Sequence, residues 1–192
     1  MWPWEHAAVA YIGYSVASRV ATGETPRAGP VIAMLVGSQL PDLIDKPLAW
    51  WLQILPSGRS LGHSLFFALP FVTLGVWVAR RYRRTDIGIA LGIGYLLHLP
   101  GDVVYPVLLG DGPAYEFLLY PIVPREGYVE ADALGKISGL FGEFLGFLQT
   151  PRGMLYLSGE LGLVVVALWL WVWDGKPGLG AFSRRLRRAI AG

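Results

Sequence analysis

The 192-residue chain contains no cysteine. Disulfides, thiolate zinc sites, iron–sulfur clusters and cysteine nucleophiles are therefore excluded. Charge is scarce too: Asp, Glu, Lys and Arg make up 16% of the residues, against about 25% in ordinary soluble domains. Met1–His6 lacks the Lys or Arg that opens a secretory signal, so no signal peptide is expected. No internal repeat and no second domain are visible. Glycine (25) and proline (14) stay below the roughly 25–30% share that marks low-complexity chains.

What is present is apolar. Hydrophobic residues reach 54%, with eight tryptophans, and the mean hydropathy is +0.47. Such a composition excludes disorder, which needs polar and highly charged sequence. It also exceeds what one small core can bury, so lipid is the expected solvent for much of the chain. A net charge of +2 makes nucleic acid an unlikely partner class, and none is expected.

A helix crosses a bilayer with about 20 mostly apolar residues. Candidate spans are Trp4–Ala21, Pro30–Leu43, Gly62–Arg80, Ile87–Leu109 and Gly153–Trp173. The expected fold class is thus an all-α integral membrane bundle of about five transmembrane helices, with four as the competing count, plus interfacial amphipathic helices. Basic residues set the orientation. Arg80, Arg81, Arg83 and Arg84 separate spans three and four, and Arg184, Arg185, Arg187 and Arg188 follow span five. Both clusters fall on one side, together with Arg19, Arg27 and Lys176, if the N-terminus is outside and the C-terminus cytoplasmic. Only Lys46, Arg59, Arg125, Lys136 and Arg152 then lie outside, where most of the acids also fall. A cell (inner) membrane location follows.

The expected organisation is one membrane-embedded domain over 1–192: a motif-bearing core to 124, an outer interfacial segment 125–152, the last span 153–174, and a basic cytoplasmic tail 175–192. Within the long outer connection, Leu134, Ile137, Leu140, Phe141, Phe144, Leu145 and Leu148 recur at helical spacing, which predicts a helix on or dipping into the outer leaflet. Leu179–Ile190 reads as a basic amphipathic helix on the cytoplasmic surface.

Ionisable groups at membrane depth are functional hypotheses by default. In this topology the three histidines, His6, His63 and His98, all fall toward the outer ends of spans. Asp42 and Asp45 close span two on that side, and Asp102 follows His98 by four residues. Six candidate metal ligands thus converge on one leaflet from four spans. Imidazole and carboxylate together suit Zn, Fe or Mn better than Ca or Mg, and one to three ions are expected, Zn foremost. A bound ion lowers the pKa of a water and polarises a phosphoryl or carbonyl oxygen. Arg59 is placed to hold an anionic phosphate, and Asp45 or Glu160 to move a proton. Separately, His6 reads equally well as an interfacial hydrogen-bonding residue, Asp45–Lys46 as a surface pair, and Arg59 as a lipid contact.

The segments "WEHAAVAY", "GSQLPDLID", "RSLGHS", "GYLLHLPGD" and "FLLYPIVP" occur in that order over residues 1–124. Together they resemble the membrane-bound metal-dependent hydrolases, also described as LexA-binding, inner-membrane-associated hydrolases. That family's pattern has an N-terminal His, then G-S-x-x-P-D-x-D-H, R-x-x-T-H-S, G-Y-x-x-H-x-x-x-D and W-P. The resemblance implies His6, Asp42, Asp45, His63, His98 and Asp102 as the metal set. Three positions depart: Lys46 stands where His is frequent, Gly62 where Thr is usual, and Tyr120 replaces the Trp before Pro121. The same ordered set is similar, more remotely, to zinc-dependent phospholipases C. The expected function is hydrolysis of a lipid or polyprenyl phosphoester at the extracytoplasmic leaflet. The alternatives are a metal centre that only holds spans together and, last, a cation or proton transporter.

Overall fold

The computed structural model describes residues 1–124 and 133–179, and it is built of helices, with no strand among the described residues. They are α1 (Pro3–Thr22), α2 (Ala28–Gly37), α3 (Leu40–Trp50), α4 (Leu65–Arg81), α5 (Thr85–Leu109), α6 (Ala133–Leu148) and α7 (Pro151–Trp173). A short 3-10 turn, Glu116–Leu119, follows α5. Of the expected cytoplasmic tail helix only Leu179 is described. Residues 125–132, with Arg125, also fall outside the described set.

Among the described residues two helices are long and apolar enough to cross a membrane: α5, with 25 residues and a mean hydropathy of 1.5, and α7, with 23 residues and 1.8. The expectation of five spans is therefore corrected. The second expected span is two helices, because the chain turns at Ser38–Gln39 and restarts at Leu40–Pro41. With 10 residues, α2 rises about 15 Å, half of the ~30 Å hydrocarbon core. Helix α4 has 17 residues and begins after His63, so Gly62 and His63 belong to a loop. Helix α1 has the length but carries Glu5, His6 and Arg19.

Helix α5 is the centre of the packing. On one side Ala90 joins Ala10, Tyr11 and Tyr14 of α1 and Val31 and Met34 of α2 in a buried cluster. On another, Tyr95 and Leu99 pack with Ala68 of α4. Contact with α2 is backbone to backbone: a Cβ at Gly37 would fall on the carbonyl of Leu91, and one at Gly94 on the carbonyl of Met34. Only glycine at both positions permits this approach. It brings the turn after α2 against α5, one helical turn from His98.

Helix α7 lies along α1 and is tied to it at both ends. At one end Tyr156 donates to Glu5 and Trp4 Nε1 donates to Glu160. At the other, Asp174 accepts from Tyr11 (2.7 Å) and Ser15 (2.9 Å) and pairs with Arg19. Those α1 residues are four apart, so they share a helix face. Helix α6 forms where the apolar spacing predicts it, with Phe144 and Phe147 against Tyr156. Leu134, Phe141 and Leu145 remain exposed.

Candidate metal centre

Three local devices deliver the four candidate ligands. Asp42 sits in the first turn of α3, where a carboxylate also opposes the positive end of the helix dipole. His63 ends the loop 51–64, and Ser64 caps α4 by accepting from Phe66 N–H at 3.2 Å. His98 and Asp102 are four residues apart on α5 and therefore face the same way. All four are buried.

Their metal-binding atoms meet at one place, all within 4.8 Å of one another. His63 Nε2 is 3.0 Å from His98 Nε2, 3.5 Å from Asp42 Oδ1 and 3.3 Å from Asp102 Oδ2. His98 Nε2 is 3.9 Å from Asp42 Oδ1 and 3.7 Å from Asp102 Oδ2. Bonds of about 2.0–2.1 Å to a tetrahedral ion put ligand atoms about 3.3–3.4 Å apart. The five separations straddle that value.

The donor chemistry fits a cation as well. His98 Nδ1 lies 2.7 Å from the carbonyl of Ser38, and His63 Nδ1 lies 2.8 Å from Asp45 Oδ2. Carbonyl and carboxylate oxygens only accept, so both Nδ1 atoms carry hydrogen. In the neutral rings both Nε2 lone pairs then point at two carboxylate oxygens. Four acceptor atoms thus converge, with cations flanking both carboxylates: Lys46 on Asp42, and Arg59 and the Met1 ammonium on Asp102. A proton is drawn there when nothing else is: burial disfavours the charge on His63, but hydrogen bonds to Asp102, Asp42 and Asp45 outweigh it and push its pKa up to about 10. For Asp42 burial acts upward, yet the bond from His63 and the charge of Lys46 hold it well below the usual carboxylate range.

The structure divides the six expected ligands. Asp42, His63, His98 and Asp102 form the cluster. His6 stacks on His98, ring centroids 3.6 Å apart, with Nε2 3.4 Å from Asp102 Oδ1. It is buried, neither ring nitrogen has a hydrogen-bond partner among the described residues, and it lies beside the four-residue cluster and outside it. Asp45 stands apart in role. Its oxygens accept the backbone N–H of Ser60 (2.7 Å), Gly62 (2.7 Å) and His63 (3.3 Å) besides His63 Nδ1. So engaged, Asp45 orients His63, as carboxylates behind metal-bound histidines do, and it lies outside the four-residue cluster.

Arg59 reaches Asp102 through Nε at 2.9 Å and Nη2 at 3.4 Å, leaving Nη1 uncommitted. The Met1 nitrogen also lies 2.5 Å from Asp102 Oδ1. Lys46, where His is frequent in the resembled pattern, puts its ammonium 2.6 Å from Asp42 Oδ2, while Oδ1 faces the imidazoles. Gly62 accommodates a tight loop: a Cβ there would lie 2.9 Å from the Pro41 carbonyl oxygen and 3.3 Å from Asp45 Oδ1. Tyr120 holds the loop from the other side, its carbonyl accepting from Ser64 Oγ at 2.5 Å, and Phe117 packs edge-on to His63. Glu160 is on α7 beside Trp4, outside the cluster.

A family profile for YdjM inner membrane proteins matches residues 1–175. The chain belongs to that family. No curated protein and no solved structure matches it. Family membership and two apolar helices place the chain in association with a membrane. The profile names no reaction, and no likeness to hydrolases or phospholipases C accompanies it.

Sequence reasoning missed three participants. The Ser38 carbonyl that orients His98 is a backbone atom, invisible in composition. Buried Glu5, which accepts from the Trp2 backbone N–H and from Tyr156, had no readable signal, because Trp2 offers no side-chain acceptor for a capping box. The Tyr11–Ser15–Arg19 face that receives Asp174 was readable from its four-residue spacing.

Proposed function

We propose that this chain is a membrane-bound metal-dependent hydrolase acting on a lipid phosphoester. The observation that carries the reading is the buried convergence of Asp42, His63, His98 and Asp102, with the Arg59 guanidinium directly beside it. A divalent cation there, Zn by the His–carboxylate donor set, supplies a Lewis acid that polarises a phosphoryl oxygen and acidifies a water. The chain's own residues do the rest. Asp45 and the Ser38 carbonyl fix the two imidazoles, and His6 stacks on that of His98. Arg59 offers Nη1 to a phosphate oxygen while its other nitrogens stay on Asp102, an alignment suited to its planar fork. Glu160, on the neighbouring helix and not in the cluster, is the remaining candidate for proton transfer.

The site end of the bundle is opposite the Arg80–Arg84 turn that joins α4 to α5. With those arginines cytoplasmic, the centre faces the extracytoplasmic leaflet, where a lipid phosphoester is the nearest substrate. The purified full chain should carry stoichiometric transition metal, lost in Asp42→Ala and His98→Ala, and should cleave a member of a phospholipid and lipid-phosphate panel. Absence of stoichiometric metal would remove the basis of the proposal. A purely structural centre is the second reading, favoured by the depth of burial and by ligands drawn from three segments. Metal that raises the melting temperature without any turnover would select it.

A further inference from the structure

Beside the metal centre, α5, α7 and the start of α1 enclose a groove of about 720 Å³. This lies within the roughly 300–1,000 Å³ typical of ligand pockets. Its walls are Val107 and Leu108 of α5 and Leu155, Gly159 and Leu163 of α7. From Pro151 to Leu163 the groove follows α7 for about 18 Å at 1.5 Å per residue, close to half the ~30 Å hydrocarbon core. That is the depth of one leaflet. Leu155, one of the residues lining the groove, is itself exposed.

Two observations connect the groove to the site. Met1 lines it, and the Met1 nitrogen lies 2.5 Å from Asp102 Oδ1. Val107 follows Asp102 by five residues, about 8 Å along α5. At the mouth, Arg152 donates Nε to the Leu108 carbonyl (3.0 Å) and Nη2 to that of Val107 (2.7 Å), which fixes a cation at headgroup level. The two acids of the lining, Glu5 and Glu160, are engaged by Tyr156 and Trp4.

We infer that this groove seats one acyl chain of a glycerophospholipid and presents its headgroup phosphate to the metal centre. The inference rests on the lipid-phosphoester reading for the second half of that statement, while the seat itself stands on the groove. Its length and volume suit a single acyl chain and are too small for a polyprenyl tail.

Gly159 makes the test clean. A Cβ there meets nothing within 4 Å, so Gly159→Leu starts its side chain into open groove space. Gly162 is equally open, lies on the same helix and does not line the groove, so Gly162→Leu is the matched control. The full chain is placed in phosphatidylethanolamine–phosphatidylglycerol vesicles carrying a trace of a diacyl phospholipid with a diazirine in its acyl chain. After irradiation, adducts are mapped by mass spectrometry, with cooperative thermal unfolding as the check on folding. The expected result is an adduct concentrated on 155–163 and 107–108, reduced at least fivefold by Gly159→Leu and unchanged by Gly162→Leu. Even labelling along α7, or labelling indifferent to Gly159→Leu, overturns the inference. Preference for a diazirine polyprenyl phosphate over the diacyl probe does so as well. Labelling needs no turnover, so the groove and the hydrolase reading succeed or fail separately.

Discussion

Asp45→Asn separates a ligand from an orienting group. In the structure Asp45 makes no approach to the four converging atoms; it receives the Nδ1–H of His63 and three backbone N–H groups. Asparagine preserves shape but turns one acceptor into a donor facing those N–H groups. If the carboxylate only orients His63, the metal remains and its affinity falls about 10–100-fold, the usual loss when such a partner is changed. That corresponds to about 1.4–2.7 kcal/mol. Unsatisfied N–H groups add a folding cost of about 1–3 kcal/mol. Competition against a chromophoric chelator, in detergent, gives affinity and stoichiometry, and thermal unfolding gives the second term. The expected outcome is unchanged stoichiometry with weakened binding. Two results would refute the reasoning: affinity equal to the wild type, or complete loss of metal from a variant that still melts cooperatively.

Gly94→Ala should lower the melting temperature by an amount equivalent to about 1–3 kcal/mol, because its methyl falls on the Met34 carbonyl; Gly162→Ala should not. Lys46→Met should strengthen metal binding by up to about fivefold, the ~1 kcal/mol of a partly exposed charge contact, since its ammonium opposes a cation at Asp42. Metal binding near pH 7 should release about one proton, because His63, at about 10 without metal, must lose its proton to ligate. Affinity then rises with pH, and calorimetry in buffers of different ionisation enthalpy measures the release.

The ligands were legible because polar groups are so few in an apolar chain that each must have a partner. Asp42, His63, His98 and Asp102 needed only helical spacing and a shared side to be grouped. The separate role of Asp45 was not legible: Asp42 and Asp45 share a face of α3, and the difference arises from the loop 57–63 folding over one of them. Hydropathy likewise joined Pro30–Leu43 into one span, since apolar content registers no break where Ser38 and Gln39 turn the chain. The last apolar helix was legible because α7 is long, uninterrupted and uncharged beyond Glu160. The basis of the α2–α5 contact was hidden, because a glycine's spacing does not say what backbone it will touch.

The four clustered ligands all precede residue 103, and α7 contributes none of them. A chain made from its N-terminus therefore owns a complete set of metal ligands while its last helix is still being synthesised. Closure comes later, when α7 settles along α1 through Glu5–Tyr156 and Arg19–Asp174. The candidate ligand set is therefore complete without α7, whereas the groove beside it exists only once that helix is in place.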